Sequence, residues 1–588
     1  MKRQHALLAL LLVPCLLAGT AGCGGKTPAP STDGSSTAPS ISAPDHISAP
    51  SGTSDGSSAV SDSTASSGGT AARTTAGKTT KAAGTTATKA NSTNVSGDTL
   101  TIRLADLDVA GDGKTDDGRE IGSAIMEAVN YTYANPGKKA VVEFEKGKTY
   151  RISRTPVSVA DVEACLVLRE AKNVTMRGNG ATIVGDPNKM YLSVTQSTDV
   201  TIEGLNFDYD MPVAVTATVT RQNDKTIDFE TPIRLPFDGD TFSYDADQFA
   251  LPANDGRDHS FFRTITRLSD KSYRITFSHG GYPLMKPGTK IYVPVPGYGF
   301  NSVGFQVVGN PGTVTFKNCN IYNVGSFVFA VNGNNGNIRF LSTSVTPKKG
   351  SSAPISSWRD CIHAKDNRGA MTFDGCTFTG NEDDVFNISN TMLEVVSVGS
   401  GGEYRVKGLD YGSDGSFHEI RVGDTVTVAD PVSGALYGTT KVKEVIDQHG
   451  GNIRIRLAEA FSGVSAGCYF SIAEFAAPGT VIKNSTFSGT IRLRGSHMTV
   501  TNCRFEVLQM WTAFEVNCEG PLPPADITYE KCTFTRRLKL TDPVITFRCA
   551  AQSGATPQYG VKNIVFSGCT FADSTMLELP ANGGVTVR

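Results

Sequence analysis

Helical patterning is scarce in this chain of 588 residues, and its scarcity is the first constraint on the fold. Long apolar runs at a period of 3.6 are missing, which argues against a helical bundle or a doubly wound sheet. Charge of one sign is also missing. The net charge is −2, so nothing in the bulk electrostatics favours nucleic acid or an anionic membrane surface. There are two tryptophans and eight histidines. No phosphate-cradling glycine loop, dinucleotide fingerprint or zinc-ligand spacing occurs, so no cofactor and no metal is expected. What is abundant is glycine, at 61 residues, together with short Val-Thr-Ile-like runs, which is the chemistry of strands and tight corners.

The first 23 residues read as a targeting segment. Lys2 and Arg3 precede an apolar run from Ala6 to Leu17 that is too short to span a bilayer comfortably. Small residues Ala18 to Gly22 then lead to Cys23. This resembles a bacterial lipoprotein signal, with Cys23 as the lipidated residue. An exported protein is expected, either anchored at the cell surface by lipid or secreted, with no other contact with a membrane. Residues 24–98 form a Ser/Thr/Ala/Gly linker, and from 26 onward it has no Phe, Trp or Tyr. Such a tract buries too little apolar surface to offset its ordering entropy.

Residues 99–210 open the folded part. A Gly-Asp-Gly-Lys-Thr-Asp-Asp segment precedes a helical pattern at Ile121, Ile125 and Ala128, with Asp116 and Asp117 expected as helix caps. A repeat then dominates: Val200–Phe207, Val314–Ile321, Ile338–Val345, Met371–Phe378, Val481–Phe487, Met498–Phe505, Ile527–Phe534 and Ile564–Phe571. Each copy is a strand, a polar Asn, Gly or Ser corner, and a second short strand. No copy can bury its inward face alone, and stacking the copies builds one core. Cys319, Cys376, Cys503, Cys532 and Cys569 occupy one slot of the pattern, as buried small hydrophobes would. The fold expected is all-β, a right-handed parallel β-helix. Residues 211–297 and 391–474 interrupt the repeat with alternating strands and share a basic-x-Gly-x-x-β-x-β run, Lys286–Val293 and Arg421–Val428. Both are expected to be small antiparallel barrels inserted between coils, leaving 298–390 as central coils and 475–588 as C-terminal coils.

The spacing within Trp358–Asn390 gains its meaning from the repeat. Asp360 and Asp383 are 23 residues apart with one clear copy between them, so one coil separates them. Asp360, Asp383 and Asp384 should therefore stack on one corner, roughly 5 to 10 Å apart. Like charges that close force at least one carboxyl to hold its proton near neutral pH, and a protonated acid beside an ionised base is what glycosidic hydrolysis needs. A separation of roughly 6.5 to 9.5 Å would leave room for a water and predict inversion. His363, Asn387, Arg368, Arg492, Arg494 and Trp358 are the candidates for substrate binding, Trp358 by stacking on a sugar face.

Arg359–Ala364, Asn367–Gly369 and Gly380–Ile388 together resemble the signature of glycoside hydrolase family 110, exo-acting α-1,3-galactosidases within the pectin-lyase-like β-helix superfamily. The resemblance implies an inverting glycosidase acting on a galactose-terminated oligosaccharide or glycoconjugate. Asp383 would be general acid, with Asp360 and Asp384 holding and activating water. This chain has Cys361 where the family usually has Gly or Ala, and Ser389 where it tends to have His. Other readings are a polygalacturonase-like hydrolase, a polysaccharide lyase using a base such as Lys365, and a glycan-binding surface protein without catalysis.

Overall fold

The computed structural model describes residues 94–153, 164–252, 260–277, 285–297, 303–408, 419–449, 452–511, 519–520, 522–539, 541–547, 549, 551–553, 555–581 and 583–588. The targeting segment, Cys23 and nearly all of the 24–98 linker lie outside them. The last linker residues do not stay extended on their own. Asn94–Ser96 forms a strand antiparallel to Thr99–Arg103 and caps the first sheet.

The repeat becomes a parallel β-helix. First strands of successive coils form a 13-stranded sheet, in which Val200, Val314, Ile338 and Met371 stand in register. Alternation sends every second residue inward. Phe316, Phe340 and Phe373 consequently stack face to face, with ring centroids 5.5 and 5.0 Å apart. The polar corner that follows is left-handed: φ is 52° at Asn318, 66° at Gly375 and 54° at Asn484. Asn and Gly tolerate that region best, which is why they recur there. Cys319, Cys376, Cys503 and Cys532 are buried one residue or so beyond these corners and Cys569 is half-buried; all nine cysteines among the described residues with assigned state are free thiols. The acidic pair before the Gly118–Ala134 helix is used differently from expectation. Asp117 makes no side-chain cap and instead accepts the amides of Ala110 and Gly111, at 2.8 and 3.1 Å, while Asp116 accepts that of Gly118.

From Lys139–Glu143 to the second insertion each coil has three strands. Beyond it the second and third run on as one in Thr486–Leu493 and Arg504–Trp511. The two insertions leave from different turns. The first barrel lies between a second and a third strand, Asn206–Asp208 and Phe305–Val308. The second follows the third strand Asp384–Thr391 and precedes the first strand Val481–Lys483. Both barrels are closed and have the same strand order, first-second-fifth-fourth-third-sixth, running from Ala214–Gln222 to Lys290–Pro294 and from Leu393–Val398 to Tyr469–Ile472. Closure leaves no unpaired edge beside the helix. The third strands therefore lie between the exits of the two barrels, and their outward side chains form the ground on which a site can be built.

Candidate active site

Third strands Phe329–Asn332, Ile362–Lys365 and Asp384–Thr391 pair in parallel, and the last pairs with Thr486–Leu493. Ile362 and Ala364 point into the core. Alternation turns His363 and Lys365 outward, and register sets them beside Asn387 and Ser389. Arg492 stands beside Asn387 on the next coil. The register slips between Asp384 and Phe386, a bulge that re-aims the side chains at the start of the strand. Gly489 faces it with φ 145°, and a Cβ there would lie 2.9 Å from Val385 and 3.3 Å from Asn381.

The coil register brings Asp360, Asp383 and Asp384 together. One carboxylate oxygen from each lies within 4.8 Å of the others. That is tighter than the open separation expected from sequence, because adjacent coils are only about 4.8 Å apart and the bulge draws Asp384 inward. Asp360 and Asp384 form a buried floor, each 2% exposed, whereas the Asp383 side chain is 32% exposed at the lip. Asp360 is held by His363 Nδ1 at 2.8 Å, and the imidazole stacks on Phe327 with centroids 4.4 Å apart. Asp384 faces Arg492 Nε at 3.0 Å, and the Arg492 guanidinium lies 4.7 Å over the ring of Trp511. The other Asp384 oxygen, Oδ1, is buried with no hydrogen-bond partner among the described residues. Asp383 has Arg359 at 3.9 Å, and its main-chain carbonyl accepts from Asn381 Nδ2 at 2.6 Å.

Burial pushes the Asp384 carboxyl well above the usual carboxylate range; the charges of Asp360 and Asp383 add to the effect, while Arg492 and Arg494 oppose it. The proton affinity of Asp384 therefore depends on the charge of both neighbours. Burial also raises neighbouring Glu382 to about 7, against the pull of Arg537, whose guanidinium is 3.6 Å away. Three oxygens at this spacing are also a donor set for a hard cation. Here the Arg492 guanidinium already supplies positive charge to Asp384.

Several sequence-predicted binding residues are placed elsewhere. Trp358 is fully buried in the hydrophobic core and presents no face to a sugar. The other tryptophan, Trp511, is the half-buried one beneath Arg492. Arg368 turns to the second barrel, where it meets Asp424 Oδ1 and Oδ2 at 2.9 and 2.5 Å and donates to the Glu419 carbonyl at 2.6 Å. Arg494 is wholly buried, so it acts on Asp384 through its charge and not by touching a ligand. Asn387 is buried and accepts from Lys365 Nζ at 3.0 Å, while Ser389 Oγ receives the same ammonium at 2.6 Å. That arrangement occupies Lys365, itself 2% exposed, and disfavours it as a free lyase base. His363 serves to orient Asp360. The sequence carries no signal that joins Glu382 to Arg537, 155 positions on; only the fold brings them together.

The chain is similar to Alpha-1,3-galactosidase A of Akkermansia muciniphila. The two are 24% identical over 250 residues, 39% of this chain, and the chain spans about 40% of the length of that curated relative. The relative carries the activity name that the motif resemblance implies. No family model matches the chain. Among solved structures, endo-xylogalacturonan hydrolase from Aspergillus tubingensis aligns with a TM-score of 0.35 at 11% identity, covering 82% of this chain and 97% of that one. The A-module of an Azotobacter vinelandii mannuronan C-5 epimerase gives 0.33 at 11% identity, covering 83% and 91%.

Proposed function

We propose that this chain is an exported glycoside hydrolase that removes terminal α-1,3-linked galactose from an oligosaccharide or glycoconjugate with inversion. The observation that carries the glycosidase reading is the trio of carboxylates, two on the floor and one at the lip, with an oxygen of each within 4.8 Å of the others; inversion is what the motif resemblance implies. Asp383, the exposed member, is positioned to give a proton to the leaving-group oxygen. Asp360 and Asp384 hold and deprotonate the attacking water, with the unpartnered Asp384 Oδ1 as one acceptor for it. His363 fixes the rotamer of Asp360 through its 2.8 Å contact. Arg492 keeps Asp384 from becoming permanently protonated, since its charge opposes the upward push of burial. As water attacks, the proton taken by the floor pair replaces the one Asp383 has released, so the trio returns to its starting charge.

The 4.8 Å approach of the oxygens also favours a second reading, a double displacement with Asp383 as nucleophile, because retaining carboxyl groups stand roughly 5 Å apart. Nuclear magnetic resonance of the first product separates the two. A β-galactose signal from an α-linked substrate supports inversion, and an α signal supports retention. Anchoring through Cys23 is part of the proposal. Cys23→Ser should move the protein from the membrane fraction to the soluble fraction, and an unchanged distribution would remove the anchor from the account.

A further inference from the structure

A cavity of about 340 Å3 opens at the root of the first barrel, where Met211 and Pro212 lead into it. Its wall is held in place before any ligand arrives. Asn323 donates to the Met211 carbonyl at 2.7 Å and accepts the Val213 amide at 3.0 Å. Tyr209 stacks on Tyr191 with centroids 4.5 Å apart. Asp208 is buried, accepts the Tyr209 amide at 2.9 Å, and meets Lys348 Nζ at 2.6 Å. Asp210 and Lys349 add one charge of each sign, and the rest of the rim is the small-residue loop that ends at Ala353.

The chemistry of this lining is selective. Asp208 is paired with Lys348 and Asp210 with Arg151 at 2.7 Å, so both carboxylates are neutralised, and the polar walls would leave an apolar ligand's surroundings unsatisfied. Hydroxyl groups, in contrast, donate to carboxylates and accept from ammonium groups equally well. The place in the fold matters as much. The loop that lines the cavity from Lys348 to Ala353 continues through the same turn to Asp360. A ladder of single bridges, Val324 to Ser357 to Asn381, runs from beside Asn323 to the residue that holds the Asp383 carbonyl. Two coil steps make that about 10 Å.

We propose that this cavity is a distal subsite for the leaving-group side of a neutral oligosaccharide whose terminal sugar sits at Asp360, Asp383 and Asp384, an inference that rests on the glycosidase reading above. The test is calorimetric titration of the full Asp383→Asn chain with Galα1,3Gal and with longer neutral oligosaccharides ending in the same disaccharide. Longer ligands should bind about tenfold tighter. Adding Ser352→Trp, which fills the cavity, should erase that advantage and leave disaccharide affinity unchanged, and Lys349→Ala should reduce it in part. The proposal is overturned if length brings no gain, if Ser352→Trp leaves the gain intact, or if a sulfated oligosaccharide binds tighter than its neutral counterpart. Failure of the glycosidase reading appears separately, as no galactose release by the unmodified chain at any length. Binding of the long glycan and its dependence on Ser352 would still decide the subsite.

Discussion

The two inserted barrels share one strand order yet are joined to the helix by different chemistry. The second has a hydrophobic core of its own, built on Leu393, Val406, Ile455 and Phe470. It is fastened by a buried ion pair, Arg368 to Asp424, with the Arg368 guanidinium also 4.8 Å over Phe475. The core of the first is continuous with that of the helix, Phe229 and Ile275 belonging to the same apolar cluster as Phe316 and Phe373. Its strand Lys290–Pro294 brings Tyr292 near Glu382 and Arg537, a group that can change charge and that adjoins Asp383. Two barrels of one strand order thus meet the helix differently, one as a clamped wall and one as a wall in electrostatic contact with the carboxylate corner.

The largest effect should come from unclamping the second barrel. Arg368→Met leaves Asp424 charged and buried with the Arg421 amide, at 2.7 Å, in place of an ion pair, and breaking a buried pair costs about 3 to 5 kcal/mol. Hydrogen exchange should rise in Thr425–Ala429 and Tyr469–Ile472 while Ala214–Gln222 stays protected. Equal loosening of both barrels would erase the distinction drawn between them.

A slightly smaller effect is expected at the first barrel's contact. Glu382 has an ordinary pKa of 4.5 and is raised to about 7 by burial in the folded chain. Below 4.5 both folded and unfolded chains hold the proton. Between the two values the folded chain binds more protons than the unfolded one, so stability falls as pH rises, by roughly 3 kcal/mol in all, and then levels off above 7. Glu382→Gln should flatten that slope in denaturant titrations across this window. A slope that persists unchanged in the variant would assign it to other groups.

Gly489→Ala tests how the bulge sets the trio. The added methyl meets Val385 at 2.9 Å at a φ of 145°, and the strain should cost about 1 to 3 kcal/mol. Turnover should drop more than substrate affinity, because Asp383 and Asp384 are displaced while the cleft remains. A variant with unchanged turnover would show that the bulge does not position them. The smallest effect is expected from Tyr292→Phe, which removes one hydroxyl near Glu382. It should alter stability by under about 1 kcal/mol and shift the Glu382 titration slightly, whereas no shift would detach the first barrel from the carboxylate corner.

Much of this was legible in the sequence because a β-helix writes its geometry as a period. Repeated Val-Thr-Phe strands with an Asn or Gly corner gave the coil, and the coil turned a 23-residue spacing into a stack containing Asp360, Asp383 and Asp384. What sequence could not carry were contacts made across insertions. Arg368 and Asp424 meet across 56 positions, and Glu382 and Arg537 across 155, with no periodic signal linking them. The shared basic-x-Gly run was a guide to local form only. Gly288 and Gly423 take φ of 90° and 93° at the same kind of strand entry, but Lys290–Pro294 is the sixth strand of one barrel and Thr425–Ala429 the third of the other. Trp358 and Trp511 could not be ranked by type, since only the direction of the coil decides which one enters the core.

The most direct test of the account is galactose release from Galα1,3Gal by the unmodified chain and by Asp383→Asn, with folding of both checked by circular dichroism. The account predicts release by the unmodified chain and a loss of roughly a thousandfold or more in the variant, the scale of removing an essential general acid. No release by the unmodified chain, or undiminished release by a folded Asp383→Asn variant, would contradict it.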